Sequence, residues 1–136
     1  MLPPAVVVHG LPDARRALTL GRPVTLLSAV GAASFAGCGW WRAMVEAACA
    51  EWPGVESPDV LDCAAAQGRA VEALRTGCRL IVLAPACPAF ADVAARAEAL
   101  GARVLAVRPA ALDLGQPGAW RHLESWLHRD RPAPIG

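Results

Sequence analysis

The residues with chemical reach in this chain are its thiols, its arginines and a few strand-end carboxylates and imidazoles. Cys63 and Arg69 frame the run Cys63-Ala-Ala-Ala-Gln-Gly-Arg69, a Cys-x5-Arg between a predicted strand and a predicted helix. A thiol there faces the positive end of the helix, which lowers its pKa and frees a nucleophilic thiolate, while the arginine holds an oxyanion. Cys38, Cys63 and Cys87 are expected at the tips of the second, third and fourth strands, with His9 at the tip of the first. Three thiolates and an imidazole suit zinc. No two of them share the close C-x2-4-C spacing of structural zinc sites, however, so no metal or cofactor is assigned. Cys49 and Cys78 read as core fillers, and Cys87, just before Pro88, stands where a helix N-cap would favour its thiolate.

The Cys63–Arg69 loop resembles the phosphate loop of cysteine-dependent phosphatases and the active-site loop of rhodaneses. That resemblance implies Cys63 as nucleophile and Arg69 as anion ligand, with Asp62, Asp92 or Asp113 as general acid. It covers about eleven residues, and it departs from the pattern at three places. Ala70 stands where phosphatases carry Ser or Thr, Gly68 is the loop's sole glycine, and Asp62 rather than His precedes the cysteine. The plainer alternative is a small buried thiol and a surface arginine. A further loop at residues 30–39 carries Gly31, Gly37 and Gly39 ahead of Trp40. Its glycines let backbone amides approach a phosphate or carboxylate, and Trp40 offers a stacking surface. The spacing matches neither the dinucleotide nor the nucleotide glycine motif.

Short β-branched runs alternating with helical stretches must position these groups. Strands are expected at residues 5–9, 24–28, 59–63, 80–84 and 103–107, with a helix after each. Trp41, Val45, Ala48 and Trp52 recur at one helical face, and Trp120, Leu123 and Leu127 line one side of a last helix after a loop at residues 108–118. The expected fold is therefore α/β, a single-domain doubly wound and mostly parallel five-stranded sheet in the flavodoxin-like order 2-1-3-4-5. Helices cover both faces. A piece of a βα barrel is the alternative. Residues 1–131 make the domain, and residues 132–136 a disordered tail.

In a parallel sheet, ligands bind beyond the carboxyl ends of the strands. The expected ligand-binding residues are thus His9, Gly10, Gly37, Cys38, Gly39, Trp40, Asp62, Cys87 and Arg108, with Arg69 and Arg108 as anion partners. Three functions follow. The first is binding of a small anionic or phosphorylated ligand in that crevice; the second is a thiol enzyme using Cys63 and Arg69. The third is a dimeric interaction protein built on its tryptophans. Whether the chain is an enzyme is left open.

Composition narrows the classes. All 13 basic residues are arginine, against 12 acidic residues, so lysine chemistry is excluded and no basic stripe suggests nucleic acid. A response-regulator receiver needs acids after strand one and a lysine after strand five, where His9-Gly10 and Arg108 stand instead. Residues 23–41 carry no charge, but their glycines and hydroxyls read as strand, loop and helix start rather than a membrane span. A chain opening without a basic, apolar leader is expected in the cytoplasm, with free thiols. With 55% hydrophobic residues, a face that prefers a partner suggests a homodimer.

Overall fold

The computed structural model describes residues 1–129; the expected tail at 132–136 lies outside them. It is an α/β fold with one parallel sheet of six strands in the order β5-β4-β3-β2-β1-β6. These are β1 (Ala5–Val7), β2 (Thr25–Leu27), β3 (Asp59–Asp62), β4 (Leu80–Val82), β5 (Arg103–Leu105) and β6 (Ala111–Asp113). The helices are α1 (Leu11–Leu18), α2 (Ala32–Phe35), α3 (Cys38–Glu51), α4 (Gln67–Arg75), α5 (Phe90–Ala99) and α6 (Leu123–Leu127), with a 3-10 turn at Ala119–His122.

Local chemistry explains the elements. Pro12 near the start of α1 and Asp13 in its first turn favour a helix beginning there. Gly37, at φ 95°, turns the chain into α3 in a conformation other residues rarely adopt. The expected stripe on α3 is present: Trp41, Val45 and Ala48 are buried, and half-buried Trp52 packs on the same core.

Two expectations about the sheet need correction. The order 2-1-3-4-5 requires the winding to reverse after the first unit. Here every step from β1 to β5 moves the same way across the sheet. Right-handed crossovers in one direction leave their helices on one face, not two. Accordingly α1, α3, α4 and α5 pack in succession, and all of them share a single core with Val6, Val8, Leu26, Leu61 and Ile81. The second correction is the sixth strand, β6, inside what was expected to be a loop; it pairs with the free side of β1.

The opposite face of the sheet packs on itself. Val7, Leu27, Val60 and Val82 form a second, smaller core, joined by Leu2, Leu80, Leu105 and Ala111. No ladder joins the edge strands β5 and β6, yet the connector 106–110 links them. In a flat sheet those edges would stand about 24 Å apart, whereas six residue steps reach about 21 Å at full stretch. The sheet therefore curls, and a cleft along the seam between β5 and β6 is lined by residues 1–5, Leu105, Ala110 and Trp126, whose indole N–H donates to Ala5 O at 2.7 Å. The architecture is the barrel-like alternative, unclosed at one seam.

Among the described residues no helix is long and apolar enough to cross a membrane. The uncharged stretch 23–41 folds as β2, α2 and the first turn of α3.

Candidate functional site

Parallel strands deliver their carboxyl ends to one rim, and two ion pairs form there. The first joins β1 to β6. His9 follows β1, and its Nε2 donates to Asp113 Oδ1 at 2.7 Å. The same oxygen accepts the Gly115 amide at 2.8 Å, closing a tight turn after β6. The His9 backbone N–H is itself held by Asp13 Oδ2 at 2.9 Å. Burial alone would push the Asp113 carboxyl up. The hydrogen bonds from His9 and Gly115, with the positive charges of His9 and Arg108, instead hold it below the usual carboxylate range.

Gly115 is required there for space. A Cβ on it would lie 2.6 Å from His9 Nε2 and 3.1 Å from Asp113 Oδ1, so any side chain would drive the imidazole out. Against an ionised carboxylate Nε2 must be the donor, which leaves Nδ1 as the free ring nitrogen. Nδ1 has no hydrogen-bond partner among the described residues, and the His9 side chain is 42% exposed.

The second pair is buried more deeply. Asp62 ends β3 with its side chain 3% exposed, facing Arg108 of the β5–β6 connector at 2.9 Å. Arg108 also donates to Ser28 O at 2.7 Å. Asp62 Oδ1 accepts the amides of Gly31 and Ala64 at 3.0 and 2.8 Å, and the Asp62 amide donates to Ser28 Oγ. One carboxylate thus fixes the loops after β2, β3 and β5. Val30 and Phe35, after β2, and Val107, after β5, are exposed, and Val107 lines the cleft with residues 1–5.

The remaining expected residues are placed differently. Gly10 precedes α1 in an extended conformation. Gly37 and Gly39 have open space where a Cβ would be, so neither marks a close approach. Trp40 is partly exposed and tilted against Trp41, with ring centroids 6.2 Å apart. Cys63 is fully buried; burial, joined by the charges of Cys38, Cys78 and Asp62, pushes its thiol up to about 12. Burial likewise raises Cys38 to about 11, and its S–H contacts Arg69 O at 3.6 Å. Both shifts oppose thiolate formation. Arg69 turns outward to Glu72 at 2.9 Å.

Cys38 and Cys63 are buried in one core together with Cys78. Cys87 contacts Gln67 Oε1 at 3.8 Å. It does not cap α5, which begins at Phe90 after a turn containing Pro88. No group of three or more potential metal ligands occurs among the described residues.

Asp113, expected as a general acid for a thiol, instead pairs with His9, and Gly115 makes room for that pair. The available signal was Asp-Leu-Gly, an acid followed two residues on by glycine, which suits a side chain capping its own turn. The two partners are 104 residues apart, and pairing them required knowing that β6 lies beside β1. Comparison with known protein families finds no match for this chain, and comparison with characterised protein sequences finds none either.

Proposed function

We propose that this protein binds a small acidic molecule at the carboxyl rim of its sheet, and that His9 is the residue that engages it. The observation carrying this reading is the imidazole with Nε2 committed to Asp113 and Nδ1 bare. When the ring is protonated, Nδ1–H is a cationic donor fixed in direction by Asp113 and in position by Gly115. Arg69 and Arg108, the anion partners suggested by sequence, are both engaged by carboxylates. The exposed apolar side chains of Val30 and Phe35 suit the uncharged part of a ligand. Burial of Cys63 weighs against the thiol-enzyme alternative.

Calorimetric titration with a panel of small carboxylates and phosphate monoesters tests this. Saturable binding is expected. His9→Ala should weaken it roughly 10- to 150-fold, the worth of one charge-assisted hydrogen bond. Gly115→Ala should do the same in a folded protein. Carboxylate binding that survives His9→Ala unchanged refutes the reading, since a phosphate ester could bind elsewhere on the surface.

A further inference from the structure

A different set of arginines has charge left uncommitted. Arg15, Arg42, Arg69 and Arg108 pair with carboxylates, and Arg22 and Arg79 donate to backbone carbonyls. Arg16 and Arg121, like Arg75, Arg96, Arg103 and Arg129, do neither among the described residues, and these two both lie over one indole. Their Cζ atoms lie 5.4 and 5.6 Å from the centre of the Trp120 ring. Stacking uses the face of a guanidinium and leaves the donors along its edge free. It also restrains a side chain that would otherwise lose much rotamer entropy on binding.

Trp120 is 53% exposed and Leu20 is 42% exposed, so both offer apolar surface beside these arginines. The expected helical stripe buries Leu123 and Leu127, while Trp120, in the 3-10 turn before α6, is exposed. Trp120 is turned out over a cleft of about 570 Å³ between α1 and the 3-10 turn. Glu124 also lines that cleft, yet it lies beyond ion-pair distance of either guanidinium.

We propose that this cleft binds a phosphate monoester. Its dianionic head is taken by the edges of Arg16 and Arg121, and its organic part lies against Leu20 and the indole. The two guanidiniums over one ring offer a combined charge and donor set that a doubly charged oxyanion can use more fully than one carboxylate can. The fork of N–H donors matches phosphate geometry. This site is separate from the His9 rim, and either can stand without the other.

Phenyl phosphate is the probe, followed through the Trp120 indole N–H and the arginine Nε–H resonances at constant ionic strength. A saturable shift is expected, with benzoate binding at least tenfold more weakly. Arg16→Gln and Arg121→Gln should each raise Kd at least tenfold, and the pair together should abolish binding. Both are exposed positions, so the variants fold, which the unchanged remainder of the spectrum verifies. His9→Ala should leave the shift intact, and so should Arg75→Gln with Arg96→Gln. Loss of the shift in His9→Ala would place the anion at the rim, overturning this proposal but not the functional reading. A linear, non-saturating response, or equal loss in the Arg75/Arg96 variant, overturns it as nonspecific charge attraction.

Discussion

One oxygen of Asp113 accepts both the His9 imidazole and the Gly115 amide, and its depressed pKa makes that arrangement visible in stability. A carboxylate whose folded pKa lies below its unfolded value, ordinarily about 3.9, stabilises the fold above that unfolded value. The contribution disappears as pH falls through the folded one. Asp113→Asn should therefore lower the urea midpoint at pH 7, and the gap from wild type should close under acid conditions. With the Asp113 side chain about a third exposed, solvent screening limits the effect to about 1 kcal/mol or less. A gap that persists undiminished at pH 3 contradicts the assignment. At the same scale, Cys63 shows why residue type and spacing misled. Cys-x5-Arg was visible, but the burial of the thiol and the outward turn of Arg69 toward Glu72 are decided by tertiary contacts.

At the scale of elements, α3 is fastened to β3 through Asp59. Its carboxylate accepts the Trp41 indole N–H at 3.1 Å and faces Arg42 at 2.7 Å, with both charged side chains mostly buried. Asp59→Ala should strand Arg42 and the buried indole at once, costing about 2–4 kcal/mol. Urea unfolding followed by tryptophan fluorescence measures this; a loss below 0.5 kcal/mol would show the tether to be idle. The elements themselves were largely legible. Val and Leu runs marked five strands, and the period from Trp41 to Ala48 marked the buried face of α3. The sixth strand was not, because Ala-Leu-Asp has no β-branched residue and spans only residues 111–113. Strand order was equally silent. In strands of three or four residues, a face against helices and a face against the curled sheet's own interior both demand Val and Leu.

For the whole molecule, the question is what keeps the curled sheet from opening along the seam between β5 and β6. Arg108 is the clasp, carrying the connector across the rim to Ser28 and Asp62. Arg108→Ala removes that hold and leaves a buried carboxylate without its countercharge, a change worth about 2–4 kcal/mol. Hydrogen exchange reads the outcome by location. The Leu114 amide, which donates to Val7 O beside β6, should exchange much faster in the variant, while amides in β2 and β3 slow or quicken only with global stability. Uniform acceleration would mean that the clasp stabilises the fold generally and not the seam.

The Asp62 hub also bears on how anything arrives at this rim. Because one carboxylate holds the loops after β2, β3 and β5 in register, the backbone there is set before an encounter. A newcomer meets a rigid template, so little conformational entropy remains to be lost on association. Selection is then by shape and charge at first contact, and the lifetime of the complex, not its rate of formation, distinguishes a good occupant from a poor one.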